Sequence, residues 1–145
     1  MTAGAESRLT LAAETSPSEA TVRAIESGLS AHSSSVGLNT DWSARWIIGR
    51  DADGAVQAGI RFVLPFQWLF VNWLWVSELY RKHGVGSELM GAAEATAREQ
   101  GCRAAYLDTF TFQAPKFYER LGYREFGRLE DFPPGHSRVW FSKAL

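Results

Sequence analysis

The chain has 145 residues, 46% hydrophobic and 21% charged, which allows one domain with one sizeable core and is far from a disordered composition. A formal net charge of −1 at pH 7 removes any global electrostatic case for nucleic acid or an anionic membrane as partner. The single cysteine, Cys102, excludes an internal disulfide and reads as a small buried residue rather than a catalytic thiol.

Residues 1–7 read as a short mobile tail of a single domain spanning 1–145. They lack a basic region followed by an apolar stretch, so no export signal is expected and a cytoplasmic location is the simplest reading. Weak alternation over 8–13 predicts a first strand. Ser16 as cap and Pro17 at the first helical position then predict a helix to about Ala31, with Val22, Ile25 and Leu29 on one stripe. The serine-rich stretch 33–40 reads as a loop.

Strands are predicted over 42–50 and 55–64, flanking the hairpin signal Asp51-Ala52-Asp53-Gly54. Residues 62–77 carry no charge, but the run is too short for a membrane span and is interrupted by Pro65, Gln67 and Asn72. Its second half, Trp68–Val76, reads as a central strand covered on both faces.

That strand runs into Arg81-Lys82-His83-Gly84-Val85-Gly86-Ser87, after which a helical stripe opens with Val85, Leu89, Ala92, Ala93 and Thr96. Strand, glycine-rich turn and helix together build a backbone cradle for phosphate. Glycines allow a tight bend, and the unsatisfied N–H groups of the first helical turn present partial positive charge to an anion. Arg81, Lys82 and His83 add positive charge at the rim. The spacing fits neither a P-loop, which needs Lys-Ser/Thr after its second glycine, nor a dinucleotide fingerprint, which needs a third glycine. Glu94 and Arg98 form a pair four apart, expected on the solvent side of the helix, which Gly101 ends.

Residues 104–109 make the next strand, parallel to Trp68–Val76 through a right-handed crossover. Ala114, Phe117, Tyr118 and Leu121 then share one face of a short helix that Gly122 terminates. Strands over 123–129 and 137–143 finish the sheet as an antiparallel pair.

The two segments RxxGxG (Arg81 to Gly86) and AxxFYxxLGY (Ala114 to Tyr123) together resemble the GNAT superfamily of N-acetyltransferases. The resemblance runs from about Ala55 to Leu145. Leu107-Asp108-Thr109-Phe110-Thr111-Phe112-Gln113-Ala114 and Pro133-Pro134-Gly135-His136-Ser137-Arg138 look like a bacterial subgroup of it. The resemblance implies a mixed α/β fold. Its form is a three-layer α/β/α sandwich with a twisted mixed sheet of six or seven strands and a splayed central parallel pair.

It also implies acetyl-CoA as cosubstrate. Backbone groups near Leu74 and Val76 would hold the pantetheine arm, amides of His83, Gly84, Val85, Gly86 and Ser87 the pyrophosphate, and Thr111 stands where relatives often place a cofactor-binding asparagine. Tyr118 matches the general acid of many relatives, against the reading of an amphipathic core residue with a wetted hydroxyl. Asp108 is read either as the general base or as a bonder of loop amides at a strand end, with Glu78 and His136 as weaker base candidates. Asn72 is read either as facing the acceptor or as satisfying a backbone group at a bulge. No His/Cys/Asp cluster has metal-ligand spacing.

The expected activity is acetylation of a primary amine on a small molecule, with Glu78, Asp108, Glu130 and Asp131 lining the approach of a cationic acceptor. Acetylation of a peptide N-terminus and a non-catalytic acyl-CoA sensor are the two rival readings. A homodimer through the last strand, using Trp140 and Phe141, is a further expectation, against core packing of the same residues.

Overall fold

The computed structural model describes residues 9–38 and 40–145. They fall into two compact units, one up to Asn39 and one from Thr40 to Leu145. In the first, Arg8 lies outside the described residues, and 9–13 form no strand. The helix α1 spans Glu19–Ser35, later at both ends than its sequence signals suggested. Ser18 is the cap, because its hydroxyl accepts from the Thr21 amide at 3.1 Å and satisfies one of the unpaired first-turn donors. The helix runs through the serine cluster because those hydroxyls bond back to the preceding turn: Ser33 Oγ to the Leu29 carbonyl, Ser35 Oγ to that of His32. It stops at Gly37, whose φ of 76° lets Leu38 N–H reach the Ser33 carbonyl at 2.9 Å.

The second unit is a six-stranded sheet. Its strands are β1 (Arg45–Arg50), β2 (Val56–Val63), β3 (Trp68–Val76), β4 (Ala104–Phe110), β5 (Arg124–Glu130) and β6 (Ser137–Ala144), in the order β1-β2-β3-β4-β6-β5. Only β3 and β4 run parallel; every other pair is antiparallel. Between them comes α2 (Val85–Glu99), and α3 (Pro115–Arg120) links β4 to β5. The β1–β2 hairpin closes as its Asp-Ala-Asp-Gly signal predicts. The Asp51 carboxylate accepts from the amides of Asp53 and Ala55 and from the Gln57 side chain.

Apolar alternation directs one sheet face at the helices. Ile60, Phe62, Leu69, Val71, Ala105, Leu107, Val139 and Phe141 pack with Leu89, Met90, Ala93 and Ala97 of α2 and with Tyr118 and Tyr123. β3 is central in the order, as expected, but within this unit it is covered on one face. Its other face carries Trp73 and Trp75, and Arg61 of β2 lies over the rings of both Trp46 and Trp73. β6 is enclosed between β4 and β5, and Phe141 is in the core, so core packing rather than an edge-strand contact accounts for it.

Glu94 corrects the sequence reading. It is only 5% exposed. Its carboxylate accepts from Tyr123 Oη at 2.9 Å and from Lys143 Nζ at 3.0 Å, while the expected Arg98 partner is more distant at 3.4 Å. This ties α2 to β6 and to the end of α3 through a buried, fully partnered charge. Cys102 is a buried member of the core, and burial pushes its thiol up from the usual range.

Candidate active site

The site is built where β3 and β4 separate. Their ladder has three register pairs, Trp68 with Ala104, Leu69 with Ala105 and Phe70 with Tyr106, and then stops. Against β2, Val71 pairs with Phe62 and Trp73 with Arg61, so Asn72 is an extra residue in β3. A bulge of this kind bends the strand and increases its local twist, which carries β3 away from β4. The stretch from Asn72 to Val76 therefore faces β4 across a gap, with no ladder to it.

Arg81 closes the far end of β3. Its Nε donates to the Val76 carbonyl at 3.0 Å, which ties the exposed, still charged side chain to the end of the strand. The turn then passes through Lys82 at φ 63° and Gly84 at φ 81°, both left-handed. A Cβ at Gly84 would meet nothing within 4 Å, so the glycine is there for its backbone conformation. Gly84 caps α2 without a side chain, which leaves the amides of Val85, Gly86 and Ser87 free of any intrahelical or cap partner. Lys82 and His83 are exposed beside them.

Gly86 has a different reason. A Cβ there would lie 3.2 Å from Phe117 Cζ and 3.9 Å from Val76 Cγ2, so the first turn of α2, the end of β3 and α3 all converge on this point. The next residue of α3 is Tyr118, 8% exposed and packed between the rings of Phe117, Tyr123 and Phe141. Gly122, at φ 89°, ends this helix and lets Tyr123 N–H bond the Tyr118 carbonyl. Among the described residues the Tyr118 hydroxyl has no hydrogen-bond partner. Burial, and secondly the negative charge of Asp108, push its pKa up to about 12, so it is held as a neutral O–H donor.

Asp108 lies on the opposite face of β4 from Leu107 and Thr109. Its Oδ1 accepts from Arg138 Nε at 2.7 Å. The Arg138 guanidinium is itself held against the rings of Phe110, Phe132 and Trp140, at 5.0–5.8 Å. Arg138 had no role in the sequence reading. Its signal is there only in hindsight, since residue pairs across β4–β6 put it beside Phe110, two residues past Asp108.

The remaining candidates are dispersed. Thr111 turns its hydroxyl to the Ser137 amide, extending the β4–β6 ladder. His136 is exposed in the β5–β6 hairpin, its ring edge on Phe112. Glu78 is exposed in a single helical turn after β3. Of the acidic residues expected along a cationic approach, Asp108 is paired with Arg138, Glu130 accepts from Ser137 Oγ, and Asp131 accepts from the Gly135 amide. Asn72 sits at a bulge, as one of its two readings had it, yet its Oδ1 is buried and bonds no backbone group. Leu74 and Val76 are half-buried against the core, in the stretch of β3 that has no pair in β4. No helix among the described residues is long and apolar enough to cross a membrane.

The model of the acetyltransferase (GNAT) family matches residues 13–123 of this chain. Blasticidin-S acetyltransferase of Streptomyces morookaense is 45% identical over 83 residues, which are 57% of this chain and 61% of that protein. An acetyltransferase of Agrobacterium fabrum is 36% identical over 94 residues, 65% of this chain and 69% of that one. Among solved structures, an acetyltransferase from Bacillus cereus superposes with a TM-score of 0.79 at 32% identity, covering 92% of this chain and 98% of its own.

Proposed function

The chain belongs to the acetyltransferase (GNAT) family, and from that premise we propose that it transfers an acetyl group from acetyl-CoA to a primary amine of a small molecule, by direct attack with both substrates bound. The observation that carries the proposal is the convergence at Gly86. Uncapped amides, the open edge of β3 and the residue before Tyr118 all meet there. Blasticidin-S acetyltransferase, named for a small molecule, supports that acceptor class.

The residues divide the work by their chemistry. Amides of residues 83–87 suit the pyrophosphate, and Lys82 and His83 flank it. The edge from Asn72 to Val76, without a partner strand and with only the Val76 carbonyl engaged by Arg81, offers backbone groups such as those of Leu74 to the pantetheine arm and to the thioester carbonyl. Tyr118, protonated at all neutral pH values, donates to the sulfur as the C–S bond breaks. Asp108, oriented by Arg138 and with Oδ2 outside that contact, receives the amine's proton from the other face of the sheet.

An acidic approach for a cation is weakened at Asp108 and Glu130, each beside an arginine, but not at Asp131, which accepts only from a backbone amide. The test is release of free thiol from acetyl-CoA across amino acids, polyamines, aminoglycosides, blasticidin S and short peptides. Turnover with a small amine supports the proposal. Turnover confined to peptides would transfer it to N-terminal acetylation, and tight binding without turnover to a sensor.

A further inference from the structure

Among the described residues, three buried side-chain atoms take no hydrogen bond: Arg45 Nη1, Asn72 Oδ1 and Ser77 Oγ. Two of the three bracket the stretch over which β3 runs without β4. Asn72 is the first of them after the ladder stops, at the narrow end of the gap, about 13 Å of extended strand before Val76. A ligand anchored by phosphate near residues 83–87 and laid along this edge places its far end beside Asn72.

A buried carbonyl oxygen without a donor is a cost to the folded chain, and such atoms call for a partner supplied from outside. The far end of an acetyl thioester offers only a carbonyl oxygen and a sulfur, both acceptors. The amine that attacks it carries N–H donors. We infer that Asn72 Oδ1 accepts an N–H of the attacking amine, holding the nitrogen with its lone pair towards the carbonyl carbon. The inference rests on the acetyl-transfer reading above.

The proton count turns this contact into a selectivity. As the N–C bond forms and the C–S bond breaks, sulfur takes the Tyr118 proton and the nitrogen sheds one proton to Asp108; Asn72 gains and loses none. A neutral primary amine has two hydrogens, one to shed and one to keep on Asn72 through to the amide product. A secondary amine has one, which must leave. Asn72 therefore favours primary amines over their N-methyl analogues.

The experiment compares the unmodified protein with Asn72→Leu and Asn72→Asp, using a primary amine found by thiol release and its N-methyl analogue. Asn72→Leu is expected to lose about tenfold in kcat for the primary amine and to bring the primary to N-methyl ratio close to one. KM for acetyl-CoA stays unchanged. Its Tm rises by about 2–5 °C, because a buried acceptor without a donor has been removed. Asn72→Asp keeps an oxygen and restores part of kcat. An unchanged kcat and ratio in Asn72→Leu, a lower Tm, or a change confined to KM for acetyl-CoA overturns the inference. If the unmodified protein binds acetyl-CoA but turns over no amine, the acetyl-transfer reading itself falls, and this inference with it.

Discussion

Gly86 faces Phe117, whose ring occupies the space a side chain on the glycine would need: a Cβ there would lie 3.2 Å from Phe117 Cζ. Two segments that read as separate sequence signals are thus one packed unit, and the phosphate cradle and the tyrosine are registered against each other through it. Gly86→Ala gains helix propensity of about 1 kcal/mol but pushes Phe117 by a few tenths of an ångström. The expected outcome is a Tm within a few degrees of the parent with kcat down severalfold; Gly86→Val should also lose coenzyme A affinity by calorimetry. Gly84→Ala meets no atoms but forces φ 81° on a residue with a Cβ, costing about 1–2 kcal/mol. Stability without a matching loss of packing separates the two glycines.

Tyr118 should act as an acid and mark the alkaline limit of the fold. Tyr118→Phe is expected to lower kcat by about a hundredfold with coenzyme A affinity intact. Its folded pKa, about 12, stands above the ordinary tyrosine value of 10.0, so the folded chain holds this proton more tightly than the unfolded chain does. The stabilisation is complete below pH 10.0 and is lost as pH rises from there through about 12. Tm measured from pH 9 to 12 should fall less steeply in Tyr118→Phe, although Tyr123, also raised by burial and by Glu94, keeps part of the slope.

Glu94 carries the third prediction. Glu94→Ala leaves Lys143 and the Tyr123 hydroxyl without their acceptor and should cost about 3–5 kcal/mol in urea unfolding. Adding Lys143→Met to it should recover part of the loss. A double-mutant cycle with no coupling would show the pair to be independent.

Asp108 and Arg138 should behave as a unit. Asp108→Asn is expected to reduce kcat, with acetyl-CoA binding unchanged. Arg138→Lys should do the same more weakly, since an ammonium cannot lie flat among Phe110, Phe132 and Trp140 while presenting Nε to the carboxylate.

Local chemistry was the legible part. The apolar run Trp68–Val76 has the boundaries of β3, Asp51 to Gly54 makes the hairpin, and Gly122 ends α3. What escaped depended on partners distant in sequence. Glu94 and Arg98 look like a solvent-side pair until Tyr123 and Lys143 arrive from the far end of the chain. Asp108 looks like a free base until β6 brings Arg138. The strand expected over 8–13 failed for another reason: weak alternation across so few residues carries little information about pairing. α1 began at Ser18 because, of two serines near its start, the later one reaches a helical amide.

The surplus residue in β3 leaves the sheet one step out of phase with itself. Excise Asn72 and the strand regains its count against β2, its twist relaxes, and nothing remains to keep it from zipping onto β4 along its whole length. Such a chain would be sturdier and sealed: the opening this molecule works through is a counting error that folding has been made to tolerate.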